Sequence, residues 1–234
     1  MKKTDGNFGY EKSFHSFVPL PIAIGIVNME IKDRIAEKAH EMYMRYGIRS
    51  VSMDDIAAQL GMSKKTLYQY YTDKDELVEA VIVNEVTKSQ DECVDCRKEA
   101  NDAVHEIFIT MDRIVEQFRN MNPTIIYDLE KFHFKAYQKL HDHKTKFLLK
   151  MIEENIKWGI KEELYRPEIN TDIISKFRIN SMMMGFDIHI FSAGRYNLAD
   201  VTKEILEHYV YGLASLKGHK LIQKYKQQYQ KIVS

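Results

Sequence analysis

Apolar residues recur along this chain at helical spacing and almost nowhere at the alternation of a strand. Over residues 30–46, Ile31, Ile35, Ala39, Met42, Tyr43 and Tyr46 share one helical face, and Gly47 stops the run. Ile56, Ala57 and Leu60 share a second face, which Gly61 closes. In the next stretch, Lys64–Tyr70, Leu67 turns inward and the polar residues turn out. Thr72 or Asp73 caps a fourth helix expected over 74–90. Beyond Cys93 the pattern predicts helix after helix. The first spans about 98–120 and the second Thr124–Tyr137, divided by Asn122-Pro123. The third spans about 140–163 and ends in the turn Leu164-Tyr165-Arg166-Pro167. Two more follow at about 171–192 and 199–216. The first of these is apolar nearly all round, with Ile173, Ile174, Phe177, Met182, Met183, Met184, Phe186, Ile188 and Ile190. Such a helix has to be covered on most sides. A homodimer joined through these two helices as a four-helix bundle would cover it. Residues 217–231 carry five lysines and no acid and read as a solvated final helix. The fold class expected is all-α.

The stretch 52–74 carries the most specific local chemistry. Ser52 can cap the helix that follows, and Asp55, three residues on, makes a carboxylate variant of the capping box. Gly61 supplies a permissive backbone, and Ser63 restarts the chain as a second cap. Ala57 with Gly61 lets two helices cross closely. This is the build of a helix-turn-helix, whose second helix enters the major groove of DNA. Lys64 and Lys65 suit phosphates or guanine edges, and Thr66, Tyr68, Gln69 and Tyr70 can hydrogen-bond.

Gly-Met-Ser-Lys-Lys-Thr-Leu-Tyr-Gln-Tyr-Tyr at 61–71, followed by Asp-Lys-Asp-Glu-Leu at 73–77, resembles the signature of TetR-type (TetR/AcrR) bacterial transcription regulators. The resemblance runs from about Ile31 to Val81, and it departs at Lys65, where many members have glycine or proline. It implies a three-helix helix-turn-helix DNA-binding domain followed by a helical ligand-binding and dimerisation domain. It also implies a sequence-specific regulator, a repressor released by a small-molecule inducer, that meets a double-stranded DNA operator in the cytoplasm. Carried onto this sequence, Ser52, Ser63, Tyr68, Tyr70 and Lys74 would hold phosphates, and Lys64, Lys65, Thr66 and Gln69 would face bases. An inducer pocket would be lined by Phe118, Tyr127, Phe134, Trp158, Met183 and Phe186. The domains expected are a poorly ordered tail over 1–28, a DNA-binding domain over 29–75 and a ligand-binding and dimerisation domain over 76–234. Met29 lies where such chains commonly begin, which would make the first 28 residues dispensable.

Composition changes little of this. Of 234 residues 44% are apolar, enough for a sizeable core, and 10 Gly with 4 Pro argue against a loop-rich sandwich. The formal net charge is zero, so any affinity for DNA has to come from local basicity. No run approaches ~20 apolar residues, so no membrane span is expected. Two cysteines make no disulfide framework. The competing readings are a constitutive DNA-binding dimer with a closed interior, a metal or redox sensor, and a helical enzyme. Cys93-x-x-Cys96 has zinc or thiol spacing but no second ligand pair, and Glu92 and Asp95 would raise its thiol pKa. His133, His141 and His143 suggest a metal site, but His141 and His143 fall on different helix faces. The sequence has no His-Glu-x-x-His motif and no glycine-rich phosphate loop. No catalytic residue, metal or cofactor is therefore expected.

Overall fold

The computed structural model describes residues 20–192 and 194–233. They fall into two units, divided between Arg34 and Ile35. In the first unit, the tail expected over 1–28 lies outside the described residues as far as 19. From Leu20 the chain is already helical, so α1 (Leu20–Tyr46) starts well before the expected residue 30. Pro21 did not break it, because a proline in the first turn removes an N–H that has no helical partner.

The second unit is all-α, with no strand among the described residues. Its first part packs the rest of α1 against α2 (Met53–Gln59), α3 (Lys64–Tyr68) and the start of α4 (Lys74–Glu99). Ile35, Tyr43, Ile56, Leu67 and Leu77 are almost wholly excluded from solvent there, each worth about 1.5–3 kcal/mol of apolar burial. Gly47 and Gly61 have φ of 82° and 65°, a conformation costly for any residue with a Cβ.

α4 is 26 residues long and carries both cysteines, extending well past the expected residue 90. α5 (Ala103–Phe118) opens on an Asp102 cap whose carboxylate accepts from the His105 N–H at 2.8 Å. The single helix expected over 124–137 is two, α6 (Ile125–Phe132) and α7 (Phe134–Asp142). The break falls at His133, whose backbone leaves the helical region (φ −130°, ψ 59°). A π-helical turn, His143–Leu148, then leads into α8 (Leu149–Lys161). At Gly159 the ring of Tyr165 lies directly on the helix, and a Cβ would meet it at 2.1 Å. The Tyr165 hydroxyl donates to the Ala103 carbonyl at 2.9 Å, tying the turn after α8 to the start of α5.

α9 (Thr171–Met184) corrects the expectation of a helix apolar all round and reaching 192. It ends at Gly185. Its buried side holds Ser175, Arg178 and Ser181, whereas Ile173 and Phe177 are 59% and 53% exposed. α10 (Leu198–Leu213) packs mainly on α5. α11 (Leu216–Val233) is not solvated all round: Ile222 and Tyr225 join the core with Val104, Phe108 and Leu213. Tyr225 stacks on His105 with centroids 4.7 Å apart, and its hydroxyl donates to Asp102 Oδ2 at 2.6 Å. Gly218 lets α11 close on the preceding turn, since a Cβ there would stand 1.9 Å from the Leu164 carbonyl oxygen.

Candidate nucleic-acid interface and ligand cavity

α2 and α3 are positioned by their caps. Ser52 accepts from the Asp55 N–H at 3.2 Å, and Asp55 Oδ2 accepts from the Ser52 N–H at 2.8 Å, a complete capping box. The Ser52 hydroxyl, which donates to Asp55 Oδ2 at 2.6 Å, and then the Ser52 N–H hold the exposed Asp55 carboxyl below its usual pKa. Ser63 accepts from the Thr66 N–H at 3.0 Å, and its hydroxyl lies 2.8 Å from that of Thr66. Leu67 anchors the inner side of α3, which leaves Ser63, Lys64, Lys65, Tyr68 and Gln69 exposed on one short helix. Thr66 and Tyr70 are half-buried at its flank, and Ser52 is exposed at the start of α2.

The basic groups differ in how they are held. Lys64 Nζ pairs with Asp54 at 2.8 Å, which raises its pKa, and it sits 5.9 Å from the Tyr68 ring centre. An exposed pair of this kind is worth at most about 1 kcal/mol, so exchanging Asp54 for a phosphate is cheap. Lys65 is exposed and pairs with no carboxylate among the described residues. Lys74 is turned back toward the protein. Its Nζ donates to the Ile48 carbonyl at 2.6 Å, and burial lowers its pKa.

Several contacts join this region to the rest of the second unit, among them the Asn122 N–H donating to the Met44 carbonyl at 2.6 Å and the following two. The buried Asp128 on α6 accepts from the Arg49 N–H at 3.0 Å, in the loop between α1 and α2. His133 Nδ1 lies 2.6 Å from Asp75 Oδ1 in the first turn of α4. Neither Asp128 nor this role of His133 was visible in the sequence, because both depend on where the α6–α7 break falls.

A cavity of about 280 Å³ lies among α4, α5, α6, α7, the π-helical turn, α8, α9 and α10. That is just under the ~300–1,000 Å³ common for small-molecule sites. Of the residues expected to line it, Phe118, Met183 and Phe186 do, with Phe118 and Phe186 edge to face at 5.3 Å. Tyr127, Phe134 and Trp158 do not. On α6 it is Ile125 and Leu129 that face inward, leaving Tyr127 55% exposed. Phe134 opens α7 after the break and is 65% exposed. Trp158 packs beside the α5–α8 core under the Arg97 guanidinium, 5.2 Å from its ring centre.

The sequence did not mark Arg178, Asn155 or Thr202, which also line the cavity. Cys93 and Cys96 line it as free thiols. Burial, then the charges of Cys96, Glu106 and Glu92, pushes the Cys93 thiol up to about 11, and Cys96 is raised mainly by burial. Both therefore stay protonated and unreactive at neutral pH. His141 and His143 reach the cavity too, while His133 does not. Among the described residues no cluster of three or more His, Cys, Asp or Glu could hold a metal ion. None of their helices is long and apolar enough to cross a membrane.

Comparison with known proteins matches these elements. Residues 35–81 fit the family described as "Bacterial regulatory proteins, tetR family". The HTH-type transcriptional regulator YvaF of Bacillus subtilis is 25% identical over 68% of this chain and 83% of its own. A transcriptional regulator from Saccharomonospora viridis, solved with choline, superposes with a TM-score of 0.63 at 20% identity, over 80% of this chain and 99% of that one. The transcriptional regulator FadR of B. subtilis, solved with stearoyl-CoA, superposes with a TM-score of 0.57 at 14% identity, over 76% and 97%. With a helix-turn-helix matched to the tetR family over residues 35–81 and a helical body that shares the fold of solved TetR-type regulators, the chain carries the DNA-binding domain of that family and resembles its DNA-binding transcription regulators.

Proposed function

We propose that this protein is a homodimeric repressor that a small molecule releases from its operator. Residues 29–75 serve as the DNA-binding domain and 76–234 as the ligand-binding and dimerisation domain. Each subunit sets Lys64–Tyr70 in a major groove, at half-sites about one helical turn apart, ~34–36 Å or somewhat more. Lys64, Lys65, Thr66 and Gln69 face bases. Ser52, Ser63, Tyr68 and Tyr70 hold phosphates, and Lys74 joins them once it leaves the Ile48 carbonyl.

The observation that carries this reading is the course of α4. Its first turn begins with Lys74 beside the reader, and the same helix supplies Glu85, Ser89, Cys93 and Cys96 to the cavity wall. A ligand that prefers one setting of α4 can move the readers by as much as that preference allows, and no further. A constitutive dimer would have no use for a cavity of this size in its interior. The exposed stripe of Ile173, Phe177 and Met184 on α9 supports the dimer, because it lies at helical spacing and needs cover. The solved relatives bind ligands as unlike as choline and stearoyl-CoA, so ligand class has to come from this cavity's own chemistry.

The deciding experiment is binding to the DNA upstream of its own gene, run as a salt titration, with Lys64→Ala/Gln69→Ala as control. Tight binding that the double variant loses is the expected result. Equal affinity for random DNA would remove that operator assignment.

A further inference from the structure

Two ionic side chains are buried in the cavity wall, and the protein treats them differently. Glu106 is neutralised: its carboxylate lies 2.8 Å from Arg97 Nε and accepts from Asn155 Nδ2 at 2.8 Å. Arg178 is 5% exposed and meets no carboxylate among the described residues. Its one charge contact is with Tyr209, whose ring centre stands 5.5 Å from the guanidinium carbon. Burial lowers the guanidinium pKa to about 10, which leaves it charged at neutral pH.

A buried cation without a counter-ion is costly, and the fold does not relieve it. It places further unmet polar groups around the same space. Thr202 Oγ1 is buried without a partner and lies seven residues from Tyr209 on the same face of α10. His143 Nδ1 is likewise unpartnered, although its Nε2 lies 3.1 Å from the Ser89 hydroxyl. Phe118, Met183, Phe186 and Ile107 make much of the remaining wall apolar.

We propose that the cavity binds an amphipathic organic anion, its carboxylate or phosphate held by Arg178 and Thr202 and its apolar body lying along Phe118, Met183 and Phe186. This rests on the reading of the cavity as a ligand site and names the class of ligand. The ligand itself completes the ion pair that the protein lacks. A neutral analogue would leave Arg178 unpaired, and a cationic one would oppose it.

The test uses the full chain and a ten-carbon series: decanoate, decyl phosphate, 1-decanol and decyltrimethylammonium, followed by calorimetry and thermal unfolding. Decanoate or decyl phosphate should bind at least about tenfold tighter than 1-decanol, and the stronger of the two identifies the head group. Arg178→Met should weaken the anion about 10- to 100-fold and leave 1-decanol unchanged, as expected for charged hydrogen bonds. Thr202→Val, nearly isosteric, should weaken it several-fold. Free of ligand, Arg178→Met should melt about 2–4 °C above the natural protein, because an unpaired buried charge is gone. A merely structural arginine would instead melt lower when replaced, by lysine as well as by methionine, and that result overturns the proposal. So does equal binding of 1-decanol and the anions, or failure of both anions to bind. DNA release is scored separately. An anion that binds through Arg178 without weakening operator affinity leaves the site standing and removes the inducer role.

Discussion

α3 and α9 are built in opposite senses. α3 keeps Leu67 inside and its polar residues outside, as an amphipathic helix against a core should. α9 buries Ser175, Arg178 and Ser181 beside Ile179 and shows Ile173, Phe177 and Met184 to the outside along with Asp172, Lys176 and Asn180. A helix is inverted in this way at a cost, unless something polar waits within and something apolar waits without. The cavity answers the first condition, and in the proposed homodimer a second copy of the chain answers the second. The contrast separates a helix whose surroundings are complete in one subunit from a helix whose surroundings are incomplete on both faces.

The largest effect expected from testing that contrast is at Leu67. Leu67→Ala should cost about 2–5 kcal/mol of stability, measured by urea unfolding, and operator binding should fall with it. On α9 the outward residues should behave in the opposite way. Phe177→Glu should leave the fold intact and weaken self-association by about 100-fold or more, read by sedimentation. A Phe177→Glu protein still dimeric at the natural affinity would break the comparison and return α9 to a monomer's surface. Ser63→Ala removes the α3 cap together with a proposed phosphate contact; it should cost about 1 kcal/mol of stability, seen as a small fall in melting temperature, and lower DNA affinity for all sequences alike. The smallest effect should come from Lys65→Ala: an altered sequence preference with an unchanged salt slope, as a base-facing lysine requires. A slope about one unit shallower, with sequence preference unchanged, would move Lys65 to a phosphate.

These two helices also explain what could be read from the sequence. In the reader every signal is local: Ser52 and Asp55, Gly61, Ser63 and Leu67 each act within four residues of the backbone they organise. In the body the signals are not local. Counting apolar residues on α9 could not say which way they face, because the inward polar residues are interspersed among them. The α6–α7 break at His133 has no proline or glycine to announce it, and that break decides where Tyr127 and Phe134 point. The lysines of 217–231 hid Ile222 and Tyr225, an apolar face at i, i+3. Arg178 sits between Phe177 and Ile179, two residues after the exposed Lys176, and nothing local told the buried charge from the solvated one.

The bond from the Arg49 N–H to Asp128 has a consequence for the proposed switch. A switch has a dynamic range, the ratio of its output in the on and off states, and each physical link in the chain limits it. A hydrogen bond to a charged group is worth about 1.5–3 kcal/mol. Whatever passes between the helical body and the reader through Asp128 alone can therefore change DNA occupancy by roughly 10- to 150-fold and no more. A response larger than that would have to travel in parallel, through α4 and through the Asn122 N–H bond to the Met44 carbonyl as well.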